Sequence, residues 1–282
     1  MNRKICFHRL GILMLALWMT LPAFAKTLSA ATDGQSPPDA NPATQKFVGP
    51  LKLFENLYYI GTSFVSAYLL VTSDGLIMID RLYQGYTKQA LDGMRAAGFD
   101  PADIRYVPVT HGHEDHAGGI AEVREVSGAT VALSAADWAL VELQPDMVVN
   151  HGDTLTLGDT MIRFFITPGH TDGVVSMQFK LRDGTAKHQT FLFGGHNVTS
   201  NDAEDCRKFI ASMLSMQADL SGIEVNLTSH PWAALIFQRA ELLAHRRPGE
   251  AHPFVDGADF SALMNERLQS SQRQLAEINR SQ

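Results

Sequence analysis

Cysteine is nearly absent from this sequence: Cys6 and Cys206 are the two in 282 residues. With the first 25 residues read as a cleaved leader, Cys206 stands alone and no internal disulfide can form, so the core and any bound ion must carry stability. Positive charge is scarce as well, 23 Lys and Arg against 30 Asp and Glu, which argues against nucleic acid as a partner. The apolar run Leu10–Leu21 is shorter than the roughly 20 residues that span a bilayer, so no stable membrane anchor is expected. No internal repeat is visible.

What is present suits a folded domain. A hydrophobic content of 45% in a chain of this length can bury a substantial core. Arg3, Lys4 and Arg9 precede the apolar run, and Ala23-Phe24-Ala25 then offers small residues for cleavage. Residues 1–25 therefore read as a secretory signal peptide, which places the mature chain across the inner membrane, in the periplasm. Its removal takes away three positive charges and leaves 20 Lys and Arg against 30 Asp and Glu, a net charge of −10. Residues 26–46 are rich in Ala, Pro, Ser and Thr and read as a flexible arm, with one domain over 47–282.

Period-two and β-rich runs predict strands at Leu57–Ile60, Val65–Thr72, Leu76–Asp80, Ile104–Thr110, Thr130–Leu133, several within Thr154–Leu181, Phe191–Phe193 and Glu224–Thr228. Helical spacing predicts Tyr86–Ala97, Ile120–Val126, Ala135–Leu143, Ala203–Met216, Trp232–Ala244 and a surface helix over Phe260–Ile278. Strands and helices mixed in this way suggest sheets covered by helices on their outer faces, an α/β (α+β) architecture.

The chemistry is concentrated in HGHEDHAGG, directly after a strand. His111, His113, Asp115 and His116 fall within six residues at a strand-to-helix turn, where imidazole nitrogens and a carboxylate can converge on a zinc ion. The Gly118-Gly119 pair lets the backbone turn sharply before the next helix. His170 in TPGHTDG and His230 in TSHPW also stand at strand ends. His151 and His188 lie in expected turns and His245 and His252 in a polar stretch, and all four read as surface residues, with Arg81 and Glu114 as solvated; Trp138 and Trp232 read as packing residues, Trp232 close enough to His230 to line the cleft.

HGHEDH matches every defined position of H-x-H-x-D-H, and with the opening ENLYYIGTSFVSAYLLVTSDGLIMID and the later TPGHTDG and SHP the chain resembles the metallo-β-lactamase superfamily, most closely class B, subclass 3. That resemblance implies a four-layered αβ/βα sandwich of two mixed sheets. It also implies two Zn2+ per chain, one held by His111, His113 and His170 and the other by Asp115, His116 and His230. Two such ions about 3.5 to 4 Å apart would share a hydroxide that attacks the substrate carbonyl without a covalent intermediate, with Asp115 orienting it. Asp80 matches an acidic position that supports the metal-site loops.

One segment departs from the pattern. FLFGGHNVTSN carries His196 and Asn197 where many relatives have a bridging Asp, others a Cys, and subclass 3 an Asp-Ser pair. His196 is open to four readings: a substrate contact, a ligand of the second zinc, a carboxylate binder when protonated, or a polar loop residue facing water. The resemblance implies β-lactam hydrolysis of a small-molecule substrate. The altered loop leaves two alternatives: hydrolysis of another cyclic ester or amide such as a lactone, or a metal- or ligand-binding protein without turnover. Oligomeric state is open.

Overall fold

The computed structural model describes residues 41–281, so the expected signal peptide and most of the expected arm lie outside the described residues. Packing begins slightly before the expected start at Phe47. Gln45 is buried and its carbonyl accepts a hydrogen bond from the Tyr86 hydroxyl at 2.7 Å.

Seven strands form the first sheet in chain order: β1 Leu51–Phe54, β2 Leu57–Tyr59, β3 Tyr68–Thr72, β4 Gly75–Ile79, β5 Ile104–Pro108, β6 Thr130–Leu133 and β7 Met147–Val148. The first four pair antiparallel, and β4 to β7 pair parallel through helical crossovers. The second sheet holds β8 Thr154–Leu157, β9 Thr160–Ile166, β10 Val175–Asp183, β11 Ala186–Phe193 and β12 Val225–Thr228, in the order β12-β11-β10-β9-β8. Its pairings are antiparallel except β11 with β12. The helices are α1 Tyr86–Ala96, α2 Glu114–Ala117, α3 Ile120–Ser127, α4 Ala135–Trp138, α5 Ala203–Asp219, α6 Ile236–Ala244 and α7 Gly257–Ser281.

Side-chain alternation explains the layers. On β9, Phe164 joins the main core and its neighbour Phe165 joins a second cluster with Phe209 and Met213 of α5 and Phe260 and Met264 of α7. The second sheet is thus apolar on both faces, one toward the first sheet and one toward α5 and α7. On β4, Leu76, Ile77, Met78 and Ile79 are all buried, which needs cover on both faces; α1 supplies Ala90, Leu91 and Met94 to the same core. The result is the expected sandwich of two mixed sheets with helices outside.

Three local expectations change. The helix expected over Ala135–Leu143 stops at Trp138, where the chain turns back through Leu140 N–H to Asp137 O (3.0 Å) and the indole N–H donates to Met147 O (3.0 Å). The helix expected from Trp232 starts at Ile236, because Leu235 has φ +52° and separates it from a single 3-10 turn at Pro231–Ala234. The closing helix is longer than expected and not merely superficial, since Phe260, Met264 and Ser271 are buried.

The sheets are tied together where the candidate ligands lie. Val175 N–H donates to Thr110 O at 2.7 Å, joining the first histidine loop to β10, and the Tyr68 hydroxyl donates to Thr228 O at 2.9 Å just before His230. Loops distant in sequence therefore meet at one edge of the sandwich.

Candidate metal centre

The strand β5 and its extension end at Thr110, and the turn into α2 aims His111, His113, Asp115 and His116 inward. Ligand atoms of His111, His113 and His170 lie within 4.8 Å of one another, and so do those of His111, Asp115 and His116. Ring centroids are 4.8 Å apart for His111 and His113, 4.6 Å for His111 and His170, and 4.9 Å for His113 and His170. His230 stands outside these two tight groups, with its ring 5.2 Å from that of His116. All six residues picked from the sequence thus reach one place.

In four of these imidazoles Nδ1 is already engaged. His111 Nδ1 lies 3.1 Å from Thr110 Oγ1, and His116 Nδ1 lies 2.9 Å from Asp80 Oδ2. His170 Nδ1 donates to Asn197 O at 2.7 Å and His230 Nδ1 to Phe64 O at 2.8 Å. In His111, His170 and His230, neutral at pH 7, each tie leaves Nε2 as the unprotonated nitrogen able to bind a metal, whereas a metal at His116 Nε2 would displace a proton. Nε2 of His111 is buried without a hydrogen-bond partner, a costly state in a finished core, and Nε2 of His116 is buried 3.2 Å from Asp115 Oδ2. Four imidazoles and a carboxylate around an orphaned buried nitrogen fit a zinc ion, and the His111, His113, His170, Asp115 and His116 cluster could hold metal.

The electrostatics agree. Burial, reinforced by neighbouring imidazoles, holds His111 well below its ordinary pKa; burial likewise brings His170 and His230 down to about 4, so these rings are neutral at pH 7 as metal ligation requires. Burial opposes a proton on His116, but Asp115 and Asp80 on either side outweigh it and raise its pKa to about 10. Burial would raise the Asp115 carboxyl, yet His116, His230 and His113 outweigh it and hold the carboxyl below the usual range. The pocket therefore favours positive charge between two carboxylates.

Two carboxylates brace the site. Asp80 accepts from Thr110 N–H (2.7 Å) and Thr110 Oγ1 (2.9 Å) as well as facing His116, while sitting at φ +60°. Asp137, which the sequence reading passed over, does the same on the opposite side. Its Oδ2 accepts from Gly112 N–H (2.8 Å) and from the Thr171 hydroxyl (2.7 Å), joining the His111–His113 and His170 loops. The only sequence signal is Ser134 three residues earlier, which marks a helix cap and says nothing of the loops beyond.

Four further expectations need correction or refinement. Arg81 is not solvated but fully buried, its guanidinium donating to Met78 O at 3.1 Å, because β4 ends beneath the site rather than at the surface. His252 is buried too, stacked on Phe54 at 4.1 Å between ring centroids, with Nε2 donating to Leu53 O at 3.1 Å. Asn197 is exposed and contributes through its carbonyl. His196 does not face water: it is 7% exposed, its ring centroid 4.0 Å from that of Trp232 and 6.0 Å from that of His230. Trp232 thus lies against the site.

Residues 60–185 match the family described as the metallo-beta-lactamase superfamily. The chain carries a metallo-β-lactamase superfamily domain. Its fold matches BJP-1, a subclass B3 metallo-beta-lactamase of Bradyrhizobium japonicum, with a TM-score of 0.76 and 27% identity over 84% of this chain and 97% of that one. It also matches native FEZ-1 metallo-beta-lactamase from Legionella gormanii, with a TM-score of 0.78 and 21% identity over 84% and 98% of the two chains. Curated relatives by sequence carry another name. A hydroxyacylglutathione hydrolase of Bradyrhizobium sp. (strain BTAi1) is 36% identical over 86 residues, and one of Anaeromyxobacter dehalogenans is 33% identical over 168 residues. The matched segments make up 30% and 59% of this chain and span 32% and 61% of the length of those relatives. No helix among the described residues is long and apolar enough to cross a membrane.

Proposed function

We propose that this metallo-β-lactamase domain is an exported, zinc-dependent hydrolase that opens the β-lactam ring of small molecules, the leader keeping the enzyme in the periplasm. The observation that carries the reading is the convergence of His111, His113, His170, Asp115 and His116, with Nε2 of His111 buried and unpartnered. Likeness over nearly the whole of BJP-1 supports the β-lactam as substrate.

In this reading His111, His113 and His170 hold one zinc, and Asp115, His116 and His230 a second. Bound zinc would supply Lewis acidity toward the scissile carbonyl and bring the pKa of water at the site near neutrality. The chain's residues do the rest. Asp80 and the carbonyls of Asn197 and Phe64 fix the tautomer and angle of three imidazoles. Asp115, kept ionised by the surrounding histidines, accepts a hydrogen bond from the attacking water and aligns it. No serine or cysteine nucleophile is used, so no acyl-enzyme forms.

A second reading, hydrolysis of another acyl bond such as a lactone or a thioester, is favoured by the hydroxyacylglutathione hydrolase relatives and by the His196 loop. The two separate cleanly in one assay. The mature, zinc-loaded chain is offered nitrocefin, a carbapenem, a homoserine lactone and an acylglutathione thioester while zinc is counted. Turnover of the β-lactams supports the first reading, turnover confined to the lactone or thioester supports the second, and an inert protein with zinc bound would overturn both.

A further inference from the structure

Beside the histidine cluster, three buried donors have nothing to bond. His196 Nδ1, Trp232 Nε1 and Arg267 Nε are each shielded from solvent without a hydrogen-bond partner. They come from separate elements: the loop after β11, the 3-10 turn after β12, and α7. The His196 and Trp232 rings touch, and His196 adjoins His230.

Helical periodicity sets Arg267 on the same side. Met264, Arg267, Ser271 and Gln274 recur at three- and four-residue spacing and form one stripe of α7. Met264 packs in the cluster that contains Phe193 and Val198, Ser271 is buried, and Gln274 donates from Nε2 to Ser200 O at 2.9 Å. That stripe therefore lies along the Phe193–Ser200 segment, and Arg267 faces it two turns before Gln274. Burial, and after it the nearby charge of Arg267, holds the His196 pKa well below its ordinary value.

The guanidinium lacks a proper counter-ion. Its nearest carboxylate is that of Glu266, 3.2 Å from Nε but out of hydrogen-bond alignment, and Glu266 is 56% exposed while Arg267 is 13% exposed. Adjacent residues on a helix point apart, and an exposed carboxylate in water compensates a buried cation poorly. A largely buried, unpaired guanidinium is expensive and calls for an anion.

We propose that Arg267, together with His196 and Trp232, binds a carboxylate carried by the substrate and so sets which molecules the adjoining metal centre accepts. Arg267 supplies the charge and a planar pair of donors, the indole N–H a third donor, and the neutral His196 a further one from Nδ1. The 13% exposure left to the Arg267 side chain gives a ligand access from solvent.

The assignment rests on the hydrolase reading for its consequence but not for its test. In the kinetic arm, Arg267→Gln raises KM for nitrocefin on the order of tenfold to a hundredfold, as loss of a charged hydrogen bond does, with kcat and zinc content little changed. KM for nitrocefin methyl ester stays where it is, and Arg267→Lys recovers part of the loss. In the binding arm, the metal-free protein is titrated with benzylpenicillin and with its methyl ester while the indole N–H signal of Trp232, assigned through Trp232→Phe, is followed by NMR. The acid moves that signal, the ester does not, and Arg267→Gln abolishes the shift. Equal effects on acid and ester in either arm, or a shift that survives in a folded Arg267→Gln protein, would overturn the proposal. Absence of turnover on every substrate removes the hydrolase reading alone, because the binding arm reads the carboxylate position without chemistry.

Discussion

Asp80 Oδ2 lies 2.9 Å from His116 Nδ1, and both side chains are buried. The same carboxylate accepts two hydrogen bonds from Thr110, so a single side chain orients the histidine loop at both ends. In Asp80→Asn one oxygen becomes an N–H donor facing the His116 Nδ1 proton. We expect zinc affinity to fall about 10- to 100-fold, the usual cost of losing such a partner. Competition with a chromophoric chelator measures it, and unchanged affinity would refute the orienting role.

Asp137 should matter in a different way, because it joins loops instead of touching a ligand ring. Asp137→Ala strips the acceptor from buried Gly112 N–H and from Thr171, at about 1–3 kcal/mol for the stranded donor. Both denaturant midpoint and zinc affinity should drop, and Asp137→Asn, which keeps one oxygen, should recover part of each. A variant that loses stability but binds zinc normally would confine Asp137 to the fold.

Gly119 is required for closeness rather than for a sharp turn. Its φ is −90°, open to any residue, but a Cβ there would collide with Thr87 Oγ1, which donates to Arg81 O at 2.6 Å. Gly119→Ala should cost about 1–3 kcal/mol by overpacking. Thr87→Ala in the same chain removes the hydroxyl and methyl but keeps the Thr87 Cβ, 2.7 Å from the added atom, so it should relieve part of that cost, and a double-mutant cycle by urea unfolding that shows simple additivity would exclude the clash.

His252 should contribute to acid sensitivity. Burial lowers its pKa from 6.5 to about 4, against the pull of Asp183, so the folded chain holds it neutral while the unfolded chain protonates it readily. The unfolded state then binds more protons below pH 6.5, and stability is complete above that value and lost as pH falls toward 4. His170 and His230 act in the same window in the metal-free protein, so the comparison must be a difference. The loss of melting temperature between pH 7 and pH 4.5 should be smaller for His252→Gln than for the parent chain, and an equal loss would show that His252 does not titrate there.

The sequence by itself determined the parts that local chemistry controls. Four ligand-type residues within HGHEDH, directly after a β-rich run, can serve little else than a metal, and the strands around them follow from alternation along β3, β4 and β9. The resemblance to the superfamily also pointed to Asp80, at the end of the strand LIMID. Only the tertiary structure decided the rest. Arg81 reads as solvated and His252 sits in a polar stretch, yet layers that close over them bury both. Asp137 carries no sequence signal beyond the Ser134 cap three residues earlier, until Gly112 and Thr171, 25 and 34 residues away, fold onto its carboxylate. Arg267 lies in a helix whose periodicity gives the apolar stripe but not the loop it covers. Burial and long-range partners are properties of how layers stack, and no window of sequence contains both sides of such a contact.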